Sequence, residues 1–591
     1  MAMAAWISPP LVQTLFQYFA RRIHSSPWRA RNDGLPLDED GSMRHGNSSH
    51  WLAICLLLLA GAGCNQAPAP GPQAETAQAP AAAALDLSEL DIQALQQKMA
   101  DGSLTSRRIT QWYLDRIAAL DDAGPKLNAV IAVNPDALSS ADALDAERRA
   151  GKLRGPLHGI PILLKDNIDT GDRQPTTAGS LALSGAPAPR DAEIARRLRE
   201  AGAVILGKTN LSEWANYRSS RSSSGWSAVG GQTRNPYVLD RSPCGSSAGS
   251  GAAVAANLAA AAIGTETDGS IVCPASINGI VGFKPTLGLV SRQGIVPIAH
   301  SQDTAGPMTR SVADAALLLD VIAGSDASDE ATTMADAKRG HYRAALEQAS
   351  LKGRRIGIVR SAGGDDDRGK PILEAAIATL RAQGAEIIDP VELPHYGQYD
   401  RDENTVLAHE FEPDLESYLQ RRGIASLRTL ADVVAFNDRE AEREMRWFGQ
   451  EVMREALGKG NLKSAEYRSA LRRSKRLAGP EGIDAALKKH KLDALVALTQ
   501  SPAWPIDLLN GDSWAAGFSS SSPAAVAGYP NVTVPAGFLH GLPMGISFFA
   551  GAWQDAQVLA LAHAFEQAHS ARRPPRFLAT IGYEGEARSG P

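Results

Sequence analysis

The chain predicts an α/β fold, a central sheet covered by helices on both faces, on three observations. Short apolar runs bounded by turn residues alternate with stretches of helical periodicity. Of 591 residues, 44% are hydrophobic and 21% charged, an ordinary globular balance with length for a large core. Beyond one Ala/Pro-rich tether there is no long linker and no repeat, so one large domain is expected.

The elements follow in order. Folding begins near Leu85, where "LSELDIQALQQKMADGSLTSRRITQWYLDRIAAL" has helical periodicity, with Ser103 or Thr105 as cap of the second helix. "GIPILLKDNID" (159–169) reads as a buried strand. "DAEIARRLREAGAVILGKTNLSEW" reads as helix, turn at Gly202, strand Ala203 to Leu206, then a loop into another helix. "AAVAANLAAAAIGTETDGS" reads as an Ala-rich helix ended by a glycine break. "RRIGIVR", "LDALVAL" and "NVTVPAGF" read as later strands, and the charged helices of 401–475 as an insertion or lid.

The N-terminal region reads differently. Residues 52–60 are apolar but too few to cross a bilayer, and Gly61-Ala62-Gly63-Cys64 follows, so 43–63 suits a signal peptide with small residues before the cut. The residues abutting Cys64 resemble a bacterial lipobox, which would make Cys64 a lipidated mature N-terminus. The expectation is an exported protein, periplasmic or anchored at the outer membrane of a Gram-negative bacterium. Residues 1–42 fit no part of this and are read as upstream of a true start at Met43. Residues 64–84, rich in Pro, Ala and Gln, form an extended tether, leaving 85–591 as the folded domain. A net charge of −5 offers no basic field for nucleic acid. Cys244 and Cys273 are the cysteines of the folded part; without a CxxC they make no zinc site, and both pairing and free buried thiols stay open.

Three motifs compete for the chemistry. Gly202-Ala-Val-Ile-Leu-Gly-Lys208-Thr209 matches the P-loop pattern, but its variable positions are the strand itself, whose amides are committed to a sheet, so it is set aside. Gly245-Ser-Ser-Ala-Gly249 matches the G-x-S-x-G elbow, with Ser247 as nucleophile and His300, His409, His540 or His563 as base. The preceding Asp240-Arg-Ser-Pro-Cys244 reads as a turn, where an elbow needs a strand. The third reading starts from Lys165 at the end of an apolar run: desolvation lowers a lysine's pKa and makes its amine a base near neutrality. Serine with lysine is then an alternative to serine with histidine. Gly264-Thr-Glu-Thr-Asp-Gly-Ser270-Ile271 offers a serine on a tight turn beside a run of amides.

With "GPLHGIPILLKDNI" before the lysine, "TTAGS" at 176–180, "VCPASINGIVGFKPTLGLVSRQGIVPI", "SQDTAGPMTRSVADA" and "GYPNVTVPAGFLHGLPMGISF", the chain resembles the amidase signature family over 88–575, its core about 155–325, and within it the bacterial peptide amidases. The resemblance implies a mixed sheet in one α/β/α domain and a Ser-Ser-Lys triad. In it Ser270 is nucleophile, Ser246 the bridging serine on a cis peptide bond, and Lys165 the ultimate base. Ser247 is a support, and the amides of Thr267, Asp268, Gly269 and Ser270 form the oxyanion hole. It implies no metal or cofactor. Cys244 and Ala248 stand where the family pattern has glycine, and Asp268 stands where most members have glycine, adding a carboxylate near the site. The implied substrate is a peptide's C-terminal carboxamide. Alternatives are another amide or aryl-acylamide, the amidotransferase subunit of tRNA charging, and a catalytically silent ligand-binding lipoprotein. Trp214 to Arg218 is expected along the cleft, with Asn216 as a polar contact.

Overall fold

The computed structural model describes residues 85–185, 187–363, 367–513 and 517–582; the leader, Cys64 and the tether lie outside them. Eleven strands of the described residues make one mixed sheet. In chain order they are β1 (Val130–Val133), β2 (Pro161–Lys165), β3 (Val204–Thr209), β6 (Ala261–Glu266), β7 (Val281–Lys284), β8 (Thr304–Thr309), β9 (Arg355–Ile358), β10 (Glu386–Ile388), β11 (Ala494–Leu498), β12 (Asn531–Leu539) and β13 (Leu542–Phe549). A small hairpin, β4 (Trp226–Ser227) and β5 (Gly231–Gln232), stands apart. The sheet order is β1-β3-β2-β6-β8-β7-β12-β13-β11-β9-β10. Strand β2 runs parallel to both β3 and β6, so the three carboxyl ends open on one edge, the usual place for a site in such sheets. Helices pack on the sheet throughout: Ser106–Arg116 touches β2, Ala248–Ala255 touches β2, β3 and β6, and Asp555–His569 touches β12 and β13.

Most local expectations hold. Thr105, of the two candidates, caps the second helix, accepting from the Arg108 N–H at 3.2 Å. The strands in "GIPILLKDNID", "RRIGIVR", "LDALVAL" and "NVTVPAGF" are β2, β9, β11 and β12. The P-loop lookalike is β3, and Lys208 is buried with Nζ donating to the Ile168 carbonyl and to Thr176 Oγ1, each at 2.8 Å.

Two expectations are corrected. The alanine run is not helical as far as the glycine break: the helix stops at Ala255, Asn257 turns the chain at φ 58°, and Ala261–Glu266 is the fully buried β6 between β2 and β8. Pairing on both edges satisfies this strand's backbone, and small side chains let the glycine- and alanine-rich helix lie close; context overrides alanine's helix preference. After β3 the chain enters no right-handed helix. Trp214, Ala215 and Asn216 take φ of 50°, 54° and 71°, left-handed values that cost on the order of 1 kcal/mol each. The surroundings impose them: the Trp214 N–H reaches the Ala178 carbonyl at 2.9 Å, and fully buried Arg218 and Glu213 pair at 2.8 Å.

The charged segment is helical: Asp400–Arg422, Leu430–Arg439, Glu451–Ala456 and Ala465–Ala478. It has its own apolar cluster, in which Phe411, Leu415, Leu430 and Met453 pack with Leu183, Trp214, Val296 and Ile298. The insertion is thereby fastened to the loops around the carboxyl edge of the sheet.

Candidate active site

Lys165 is the last residue of β2 and is completely buried. Its Nζ lies 2.7 Å from Ser246 Oγ, 2.8 Å from Thr265 Oγ1 and 3.2 Å from the Thr265 carbonyl. Burial drives its pKa down to about 7, against the opposing pull of the Asp303 and Glu266 carboxylates. No carboxylate forms an ion pair with it among the described residues, so the neutral amine is accessible near neutral pH.

Ser246 follows a cis Gly245–Ser246 peptide bond and is also completely buried. Its carbonyl accepts from the Ser212 N–H at 3.1 Å. Glycine is needed at 245 and 249: a Cβ at Gly245 would run into Ser212 Oγ, and one at Gly249 into the Ala129 carbonyl. Cys244 has φ of 55° and is disulfide-bonded to Cys273, which settles the pairing left open above. The bond joins the turn carrying Ser246 to the helix that follows Ser270.

Ser247 is not in an elbow. Its Oγ donates to the Thr265 carbonyl at 3.1 Å and accepts from the Thr265 N–H at 3.2 Å, and its N–H reaches the Ser270 carbonyl at 3.2 Å. It ties the end of β6 to the serine turn. No histidine bonds to it among the described residues. His300 pairs with Asp414, His409 bonds the Thr405 carbonyl and stacks on Tyr467, His540 sits in the β12–β13 turn, and His563 lies near Glu566.

Ser270 lies between β6 and the helix Val272–Ile277, at the wall of a cavity of about 320 Å³. Thr267, Asp268 and Gly269 line the same cavity, and no hydrogen bond among the described residues uses the N–H of 267, 268, 269 or 270. Gly269 has φ of 75°, and a Cβ there would come within 3.1 Å of Ser521 Oγ, so the turn excludes side chains. Four unspent donors facing a cavity beside a hydroxyl are suited to holding an oxyanion. Among the described residues Ser270 Oγ makes no hydrogen bond, which leaves it free to meet a ligand. Ala215, Asn216 and Tyr217 line the cavity, whereas Trp214 and Arg218 are buried behind it. Asn216 Nδ2 lies 3.4 Å from Ser224 Oγ, and its Oδ1 has no partner among the described residues.

Sequence reasoning passed over the residues that hold this turn. Glu266 is buried, and its Oε2 accepts from the N–H groups of Ile271 and Val272 at 2.7 and 3.0 Å, a carboxylate at a helix start. Burial raises its pKa. Asp303 accepts from Thr267 Oγ1 at 2.6 Å and from the amides of Ile298 and Ala299, and burial pushes its pKa up to about 6. Thr265 bridges Lys165 to Asn167, whose Nδ2 donates to Thr265 Oγ1 at 3.0 Å. All four lay inside quoted stretches, Thr265 and Glu266 in the motif quoted for its serine, Asn167 in the strand run of Lys165 and Asp303 in "SQDTAGPMTRSVADA".

The family model for amidases matches residues 108–559. A crystal structure of peptide amidase PAM with the competitive inhibitor chymostatin superposes with a TM-score of 0.80 at 55% identity, covering 83% of this chain and 99% of that one. Native peptide amidase from Stenotrophomonas maltophilia gives 0.79 at 54%, over 83% and 99%. A protein of Arabidopsis thaliana named as a probable amidase is 42% identical over 503 residues, 83% of this chain and 92% of that one. With its motifs in order over most of the chain and a large mixed sheet flanked by helices, this protein belongs to the amidase family and is an enzyme that hydrolyses amide C–N bonds.

Proposed function

We propose that the substrate is the C-terminal carboxamide of a peptide and that a Ser-Ser-Lys relay cleaves it. The observation that carries the relay is the buried Lys165 amine 2.7 Å from Ser246 Oγ, beside a serine turn with four unspent amides. Neutral Lys165 takes a proton from Ser246, which takes one from Ser270 as Ser270 Oγ attacks the carbonyl carbon. The oxyanion rests on the amides of 267–270. The relay returns the proton to nitrogen, ammonia leaves, and water cleaves the acyl-enzyme by the same route. Ser247 supports the turn, and Asn216 is a polar contact for substrate.

Support for the peptide amide comes from the peptide amidases this chain resembles, one of them holding the competitive inhibitor chymostatin. Export by the leader read at 43–63, with or without lipid on Cys64, would bring the enzyme to extracellular peptides, and a disulfide beside the site suits an oxidising compartment. The test is ammonia release from amidated peptides, glutamine and aryl-acylamides. Amidated peptides should be turned over with internal peptide bonds left intact, and S270A should be inactive yet folded. Turnover of glutamine or an aryl-acylamide with none of peptide amides would overturn the substrate assignment.

A further inference from the structure

The oxyanion turn carries a carboxylate, and its role goes beyond the relay. Asp268 lines the cavity together with Ser270. Two residues apart, their Cα atoms are at most about 7 Å from one another. Asp268 Oδ1 accepts from Ser521 Oγ at 2.5 Å. Glu403, on the insertion helix Asp400–Arg422, is a second buried carboxyl, its pKa raised by burial and then by the charge of Asp268; Gln302 Nε2 donates to Glu403 Oε1 at 2.8 Å. Burial raises the pKa of both carboxyls, which resist joint ionisation, while the Ser521 hydroxyl favours the charged form of Asp268. The Asp268 carboxylate brings negative charge to the wall beside the nucleophile, and Lys284 is a cation whose charge acts on it.

Four amides that hold an oxyanion in the transition state would hold a product carboxylate as well. The two species differ in net charge. In the transition state the proton taken by Lys165 offsets the oxyanion. Once the acid has formed and the relay has lost that proton, the carboxylate stands uncompensated. A fixed negative charge acts weakly on the first and strongly on the second.

We propose that Asp268 is a specificity-determining residue that excludes carboxylates from the acyl site, so that the enzyme admits the amide and expels the acid. The reaction is R–CO–NH₂ + H₂O → R–COO⁻ + NH₄⁺, and Asp268 exchanges no atom in it. The proposal rests on the amide-hydrolase reading of the same site, with a peptide amide as its substrate.

The test measures binding, not turnover. In an S270A background, calorimetry compares an N-acetyl dipeptide amide with the same peptide as the free acid, at neutral pH. Replacing Asp268 by Asn should tighten binding of the acid relative to the amide on the order of tenfold to fiftyfold. D268G, which restores the residue most family members carry there, should do the same and guards against misfolding of the first variant. An acid-to-amide ratio unchanged in both D268N and D268G overturns the proposal. If wild-type enzyme turns over some other amide and no peptide amide, the substrate reading fails on its own, and the acid and amide forms of that substrate carry the same test.

Discussion

Replacing Lys165 by Met keeps the length and apolar character of the side chain while removing the amine, and its effect on stability depends on pH in a calculable way. In the unfolded chain the lysine titrates near 10.5; in the folded protein, burial brings it to about 7. Between these values the unfolded state binds a proton that the native state does not, so wild-type stability rises with pH by about 1.4 kcal/mol per pH unit from this residue alone. Over the whole window the contribution is about 5 kcal/mol. It is fully present above pH 10.5 and lost as pH falls toward 7. K165M has no such group. In urea titrations at pH 6, 7, 8 and 9, the difference in unfolding free energy between wild type and K165M should be flat from 6 to 7. From 7 to 9 it should then move in favour of wild type by about 1.4 kcal/mol per unit. At pH 6, removing a buried cation offsets part of the loss of the hydrogen bonds to Ser246 and Thr265. Turnover should fall by about 10²- to 10⁴-fold, the usual contribution of a general base, and the acid limb of wild-type kcat/KM should show an apparent pKa of about 7. A stability difference that does not change with pH, or activity held to pH 5, would refute the neutral, buried lysine.

Other perturbations probe the rest of the site. E266Q removes the charge that accepts from Ile271 and Val272, and should cost about 1.5–3 kcal/mol in denaturant unfolding along with a drop in kcat, because the serine turn loses its anchor. G269A places a Cβ at a positive φ and 3.1 Å from Ser521 Oγ; kcat should fall more than KM rises in steady-state assays, since the displaced amides act on the transition state. Reduction of the Cys244–Cys273 bond, or the double Cys→Ser variant, opens a loop of 29 residues and should lower stability by about 3–4 kcal/mol, read as an earlier thermal unfolding midpoint.

Much of this protein was legible in its residues. Strands β2, β9, β11 and β12 announced themselves because apolar runs bounded by turn residues satisfy the same rule in any sheet. The candidate positions 165 and 270 were legible because their motifs are local, a lysine closing an apolar strand and a serine after a glycine break; position 246 came only with the resemblance to the family. Tertiary structure decided what depends on distant neighbours. Alanines 261 and 262 became a central strand only because β2 and β8 flank them. Trp214 to Asn216 became left-handed because of the buried Arg218–Glu213 pair. Cys244 and Cys273 could be free or paired until the fold placed the serine turn against the following helix. Ser247 shows the division most clearly. Its pattern alone suggested a nucleophile, but its hydroxyl is bound on both sides by the backbone of Thr265, 18 residues away. A sequence states which groups a chain possesses; which of them keep a free hydroxyl or a neutral amine is decided by burial and by partners that only folding brings together.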